Sequence, residues 1–312
     1  MKTVDFSKLK SGQKAAMARA LAQVEREPDS RETLDLLNAA YQEPQGHVIG
    51  ITGPPGVGKS TLTNALIAHW RSLGRTVGVI AVDPSSRRTG GALLGDRTRF
   101  TTDPEDQGIY VRSMAARDRL GGLAGLTVAG MVLMRAVYDI VLIETVGVGQ
   151  SETDIVGVAD SVLFCVQPGS GDSLQFIKAG IVEIPHIVAV TKADMGAPAR
   201  RAMADMKGAL NLAGRQGADP WDIPVLLLSS MQRQGIAELV EAFDTHLAFL
   251  KENAFLASAR HTQAKQWLEE AVREKFGRVG MGRVMDQLDI QPEDSPFERL
   301  FDISQEFEKL WG

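Results

Sequence analysis

Gly53-Pro54-Pro55-Gly56-Val57-Gly58-Lys59-Ser60 follows the apolar run Val48-Ile49-Gly50-Ile51-Thr52 and leads into the helical stretch Thr61–Leu73. The octapeptide fits G-x-x-x-x-G-K-[ST] without a departure, and its surroundings read as strand, loop and helix in that order. Its glycines let backbone N–H groups turn inward around phosphates, and the following helix adds the positive end of its dipole. Lys59 is expected to reach the β- and γ-phosphates, and the Ser60 hydroxyl to coordinate Mg²⁺. Gly53 through Ser60, together with Thr61, are therefore the expected nucleotide contacts. A Gly-rich turn arising by accident would not need this strand and helix on either side.

Working outward, short apolar runs recur at His47–Thr52, Thr76–Val82, Asp139–Ile143, Ser161–Val166, Ile187–Thr191 and Val225–Ser229. They are rich in Val, Ile and Leu, and longer helical stretches separate them. That alternation predicts βα units and a mainly parallel, doubly wound sheet buried on both faces. Before the sheet, Met17, Leu21, Val24, Leu34, Leu36 and Leu37 mark helices. After it, Ala264, Trp267, Leu268, Ala271 and Phe276 mark another, and Phe297–Trp311 a last one. The expected division is an N-terminal helical extension over 1–45, a nucleotide-binding α/β domain over 46–250 and a C-terminal helical region over 251–312.

Bulk properties exclude several classes. With 312 residues, 44% hydrophobic and 23% charged, the composition is that of an ordinary globular protein. A net charge of −5 gives no reason to expect nucleic acid as a partner. The single cysteine, Cys165, excludes an intrachain disulfide framework and a Cys-based zinc site, and its apolar run reads as a buried strand. No apolar stretch reaches the roughly 18 residues that span a bilayer. The expectation is no membrane insertion and a reducing location, the cytoplasm or else an organelle reached by a signal already removed.

Three further stretches carry chemistry. Val141-Leu142-Ile143-Glu144-Thr145-Val146-Gly147 puts an acidic residue at the end of a buried strand, where it can hold a Mg²⁺ hydration shell. Gly147 would let a backbone N–H approach the γ-phosphate as a switch. Asp83, in Ala81-Val82-Asp83-Pro84-Ser85-Ser86, ends another strand in the same way, and Asp96 lies on the Gly-rich stretch beyond it. Ser60, Asp83, Asp96 and Glu144 are thus the candidate metal ligands, and Lys59, Glu144 and Asp83 the candidate catalytic residues. Finally, Val190-Thr191-Lys192-Ala193-Asp194 places a carboxylate that can accept two hydrogen bonds from guanine N1–H and its N2 amine. Adenine offers no such donor pair. The Lys192 stem would lie along the base, and Ser229-Ser230-Met231 after the next strand would form a second base-contacting loop. The competing reading makes Asp194 a helix N-cap.

Taken together, these motifs resemble the MeaB/ArgK family of GTPases, chaperones of methylmalonyl-CoA mutase once described as lysine/arginine/ornithine transport ATPases. The most specific stretches are Asp83-Pro84-Ser85-Ser86 with Thr89-Gly90-Gly91 and Leu94-Gly95-Asp96, and Glu144 through Glu152. Gly169-Ser170-Gly171-Asp172-Ser173-Leu174-Gln175-Phe176-Ile177-Lys178 is a further match. The resemblance implies a G-domain whose last-named loop is a switch that senses nucleotide and meets the mutase, with Gln175 and Lys178 carried over for that role and Gln150 following the switch glycines. It implies a Mg²⁺-dependent GTPase that is homodimeric through a C-terminal helical arm. It also implies binding to a cobalamin-dependent acyl-CoA mutase and gating of adenosylcobalamin delivery from cob(I)alamin adenosyltransferase. Two departures stand out. Thr191 replaces the usual Asn, which bears on affinity rather than base choice, and Asp118 replaces a common Gly.

Two rival readings come from other classes. A nickel-insertion metallochaperone GTPase would need a Cys/His carrier site, against one cysteine and five scattered histidines. An ATP-dependent kinase or transport subunit would not need Asp194.

Overall fold

The apolar runs pair edge to edge as seven strands, parallel at every junction, in a computed structural model that describes residues 4–12, 14–83, 100, 103, 105–115, 125–145, 154–169, 184–213 and 221–311. In chain order they are β1 (His47–Thr52), β2 (Val77–Asp83), β3 (Ile109–Ala115), β4 (Ile140–Thr145), β5 (Ser161–Val166), β6 (Ile187–Val190) and β7 (Val225–Leu227). Their order across the sheet is β3-β2-β4-β1-β5-β6-β7, so β1 runs between β4 and β5. The sheet is wholly parallel where the sequence predicted a mainly parallel one. Its β3 edge strand was not predicted.

Helices cover both faces because each central strand is apolar on both. Val48, Ile80, Val82, Val141 and Ile143 turn to one face, where they meet α2 (Lys14–Arg26), α3 (Arg31–Gln42) and α5 (Gly125–Arg135). Ile49, Ile51, Val77, Val79, Ile140 and Leu142 turn to the other, against α4 (Lys59–Ser72) and α7 (Ile236–Glu252). The period-two alternation within each strand thus feeds two separate cores. Trp70 of α4 packs on Phe243 of α7 with ring centroids 6.0 Å apart. Toward the β7 edge, α6 (Ala197–Ala213) covers Phe164, Val188 and Val190 through Ala199 and Met206.

The predicted apolar positions of the N-terminal helices, Met17, Leu21, Val24, Leu34, Leu36 and Leu37, are all buried in the first core. Short α1 (Phe6–Lys10) begins at an Asp5 cap, whose side chain accepts from Lys8 N, and α3 begins at a Ser30 cap that accepts from Thr33 N. At the other end of the chain, α8 (Phe255–Val284) is broken at Gly277, whose φ of 66° and ψ of −169° are not helical. With α9 (Pro296–Trp311) it forms a hairpin with its own small core, which includes Leu268, Val272, Ile303 and Phe307. The hairpin folds back on α3: Trp267 and Tyr41 both contact the Phe297 ring, at 4.7 and 6.4 Å. Among the described residues, no helix is long and apolar enough to cross a membrane.

Candidate functional site

Every strand–loop junction named in the sequence lies at one edge of the sheet, beyond the carboxyl ends of β1, β2, β4, β5, β6 and β7. This is the edge at which open parallel sheets bind ligands, in the crevice beside a strand whose neighbours diverge. The loop 53–58 leaves β1 there and enters α4 with Gly58 as its N-cap, at φ 99°, a left-handed conformation open to glycine. Gly53 is fixed by close approach as well, since a Cβ there would lie 2.3 Å from the Cys165 carbonyl oxygen. Cys165 itself is buried behind the loop, and burial pushes its thiol up to about 12, which makes it inert.

Lys59 opens α4 and is buried. Its Nζ donates to the carbonyl oxygens of Gly53 at 2.7 Å and Pro54 at 3.0 Å, so the ammonium lies back across its own loop. The next residue, Ser60, donates from Oγ to Glu144 Oε1 at 2.6 Å, and Thr63 donates from Oγ1 to Glu144 Oε2 at 2.9 Å. Both hydroxyls come from the first five residues of α4, and the carboxylate sits at the positive end of that helix. Glu144 is buried, and its backbone neighbours across the sheet are Ile51 of β1 and Ala81 of β2. Thr63 was not predicted. Its place three residues after Ser60, on the same helix face, is the signal that could have found it.

Asp83 closes β2, two residues beyond Ala81, in backbone register with Ala115 of β3. Asp96, Gln150, Gln175 and Lys178 lie outside the described residues, as do Gly147, Asp118 and the serines after Asp83.

A second cluster forms where β6 and β7 end. Lys192 adopts φ 55°, and its Nζ donates to the Gly56 carbonyl oxygen at 3.2 Å and to Gln167 Oε1 at 2.5 Å. Thr191 Oγ1 lies 2.8 Å from the Val57 carbonyl oxygen and 3.0 Å from that of Val166. Both side chains therefore strap this cluster to the phosphate loop. Asp194 is exposed and accepts from the buried Ser229 hydroxyl at 2.7 Å. The Ala193 N–H donates to the Leu228 carbonyl at 2.9 Å, which locks the two loops together. Asp194 is thus in a short 3₁₀ turn, Ala193–Met195, and does not cap α6. Ser230 is half-buried beside Ser229, and the Met231 side chain stands in solvent, 85% exposed. Gln167, directly after β5, is a further residue that the motifs did not single out.

Among the described residues, no group of three or more His, Cys, Asp or Glu side chains could hold a metal ion by themselves. The oxygen groups gathered there, among the described residues, are the Glu144 carboxylate and the Ser60 and Thr63 hydroxyls, with Ser60 on the oxygen Oε1 and Thr63 on Oε2. A cation held there would complete its shell with water and phosphate oxygens, which is how Mg²⁺ is bound at phosphoryl-transfer sites.

The family model for methylmalonyl-CoA mutase-associated GTPase MeaB matches residues 17–281. A Pyrococcus horikoshii protein named as a GTPase is 40% identical over 263 residues, covering 84% of this chain and 82% of its own. The mouse protein named methylmalonic aciduria type A homolog, mitochondrial, is 35% identical over 285 residues, covering 86% of this chain and 68% of its own. Among solved structures, an LAO/AO transport system kinase superposes with a TM-score of 0.68 at 27% identity, over 97% of this chain and 96% of that one. HypB from Helicobacter pylori, in complex with nickel, reaches a TM-score of 0.50 at 18% identity, over 70% of this chain and 96% of its own. At that identity HypB shows a shared fold and nothing of its metal.

Proposed function

This chain belongs to the family of methylmalonyl-CoA mutase-associated GTPases, and from that premise we propose that it is a GTP-timed chaperone of a cobalamin-dependent acyl-CoA mutase. In this role it binds the mutase and gates adenosylcobalamin loading, protection and reactivation. Methylmalonyl-CoA mutase is the first client to consider, because the mouse relative carries the name of methylmalonic aciduria. The corrinoid stays with the partners, the mutase and cob(I)alamin adenosyltransferase. The helices over 251–312 build a homodimer, and the protein works in the cytoplasm.

One observation carries the GTP reading: two hydroxyl–carboxylate pairs, Ser60–Glu144 and Ser229–Asp194, flank one phosphate loop at one sheet edge. The first pair suits phosphates and Mg²⁺, the second a guanine. On binding, Lys59 exchanges its bonds to the Gly53 and Pro54 carbonyls for phosphate oxygens, and the loop N–H groups of 53–60 surround them. Ser60 and Glu144 fit a hard cation by their donor chemistry, with Asp83 and Asp96 as further candidate ligands, directly or through water. Mg²⁺ supplies charge neutralisation at the phosphates, and catalysis by this chain is otherwise a matter of holding the γ-phosphoryl group and its attacking water in line. Asp194 accepts from the guanine edge while Lys192 and Met231 flank the base and Ser230 offers its backbone. By family likeness, Gln150, Gln175 and Lys178 are the switch and partner positions.

Titration calorimetry with GDP and with ADP tests the base, and a preference for ADP sinks the GTPase reading in favour of the ATP-dependent kinase suggested by the name of the LAO/AO neighbour. GTP turnover measured with and without mutase tests the chaperone role. An unchanged rate, and no complex formed with a slowly hydrolysed GTP analogue, counts against it.

A further inference from the structure

At the opposite edge of the sheet, where β1 and β5 begin, a cavity of about 30 Å³ lies between α5, α8 and the first turn of α9. A single water needs roughly 10–15 Å³ of such space, so there is room for two waters or one small ion. Tyr41, Arg135, Arg260, Gln263, Trp267 and Phe297 are among its walls, and the remaining lining is largely apolar.

Two arginines, Arg135 and Arg260, line this space, and the carboxylate that influences both is Asp160. Asp160 is already committed: its Oδ1 accepts from Arg260 Nε at 2.8 Å, and its Oδ2 from Arg260 Nη2 and from Val48 N, each at 2.8 Å. Arg135 is only 4% exposed, and its Nε has no hydrogen-bond partner. No ion pair of its guanidinium is seen among the described residues. Burial, and then Arg260, lower its pKa to about 10, which leaves it a cation at neutral pH. A buried cation with its neighbouring carboxylate already taken is costly unless something neutralises it. The start of α9, at Pro296 and Phe297, adds the positive end of a helix dipole to the same space.

We propose that this cavity is an anion site, which holds one small monovalent anion, chloride or a short carboxylate, against Arg135. The apolar walls and the small volume exclude hydrated and multivalent anions. Because α5 belongs to the sheet's core and Arg260, Trp267 and Phe297 to the C-terminal hairpin, the bound anion fastens the hairpin to the core. This site is independent of the nucleotide edge and of the GTPase reading.

The test uses the full chain in sodium gluconate, sodium chloride or sodium formate at one ionic strength, followed by thermal unfolding. Chloride or formate should raise Tm by roughly 2–4 °C over gluconate, which is too large to enter. Whichever of the two acts at lower concentration identifies the source. Arg135→Met should abolish the response and melt no lower than wild type in gluconate, since it removes the uncompensated charge. Crystals soaked in bromide should give an anomalous peak within about 3.5 Å of the Arg135 guanidinium, and this reading needs no variant to fold. An undiminished response in Arg135→Met, or a soaked cavity that holds water only, overturns the proposal.

Discussion

Thr191 Oγ1 donates toward the Val57 carbonyl oxygen across 2.8 Å, so one buried hydroxyl ties the end of β6 to the middle of the phosphate loop. The Val166 carbonyl is a second acceptor at 3.0 Å, and the single proton serves one of them at a time. Thr191→Val keeps the shape and removes the donor, which leaves a buried carbonyl short of a partner at a cost of about 1–3 kcal/mol. The proposed nucleotide site depends on that loop, so GDP affinity should fall roughly tenfold, equivalent to about 1.4 kcal/mol. The ratio of GDP to ADP affinity should not change, because Asp194 and Ser229 are untouched. Titration calorimetry on both nucleotides measures the two quantities separately.

Thr63 and Ser60 each hold one oxygen of Glu144, and this fixes the carboxylate plane from the N-terminal end of α4. Thr63→Val should free one oxygen without touching nucleotide. The expected result is a Mg²⁺ requirement raised about 10-fold or more, in the range seen when outer-shell partners of metal ligands are lost. GDP binding without metal should stay near wild type. Glu144→Gln should have the larger effect, with a lower kcat that saturating Mg²⁺ does not restore. Steady-state GTP hydrolysis across a Mg²⁺ titration distinguishes the two variants.

The motifs that leave a strand toward the sheet edge were legible because they combine an apolar run with residues that few other turns use. Gly53–Ser60, Glu144 and Asp194 all belong to this class. The strand β3 was not legible, because among the described residues it pairs with β2 alone, and it carries Arg112 and Ser113 in its middle. An edge strand needs no unbroken apolar run, and Arg112 forms an ion pair with Glu25 of α2. The path of the C-terminal hairpin was also hidden. The periodicity of Leu268 and Phe276 predicts a helix, but the contacts of Trp267 and Tyr41 with Phe297 join positions far apart in the chain, which a local pattern does not record. Thr191 was visible only as a departure from Asn. Its bond to Val57 gives that departure a structural purpose.

Below the sheet, His47 Nε2 and His246 Nδ1 each lie 2.7 Å from the Ser161 hydroxyl, in a buried row that His186 extends, its ring tilted against His246 with centroids 4.5 Å apart. The hydroxyl donates to one imidazole and accepts from the other, so at least the ring that takes its proton must be neutral, and two protonated rings would leave the hydroxyl proton no acceptor between them. Burial lowers His47 to about 4, with Asp160 opposing that shift and Arg260 adding to it. Burial and His186 lower His246 to about 3. The unfolded rings titrate near 6.5, so the unfolded chain binds more protons in the interval below that value. Stability should therefore be full above pH 6.5 and decline as pH falls toward 4, by on the order of 3 kcal/mol for His47 alone. Urea midpoints at pH 7.5 and pH 5 test the sign, and an equal or higher midpoint at pH 5 contradicts it. Ser161→Ala should cost about 1–3 kcal/mol at pH 7.5, because it strands a nitrogen on each ring.

Arg260 reaches from α8 to two points of the sheet's lower edge, Asp160 and the Gly46 carbonyl oxygen at 2.9 Å. Burial pushes the Asp160 carboxyl up, yet its pKa stays below the ordinary value because Arg260 donates to both of its oxygens. The two side chains are 16% and 1% exposed, so water screens the pair little. Arg260→Met should then cost about 3–5 kcal/mol, most of it the burden of an abandoned buried carboxylate. Arg260→Met combined with Asp160→Asn removes both charges and keeps an acceptor for Val48 N. The double variant should recover much of that loss, and the cycle measures the coupling directly. Hydrogen exchange should locate the damage: amides of 255–276 should lose protection in the single variant, while those of β1 and β4 should keep it. If the double variant is no more stable than Arg260→Met, the arginine holds α8 through the Gly46 carbonyl and its own packing rather than through the ion pair.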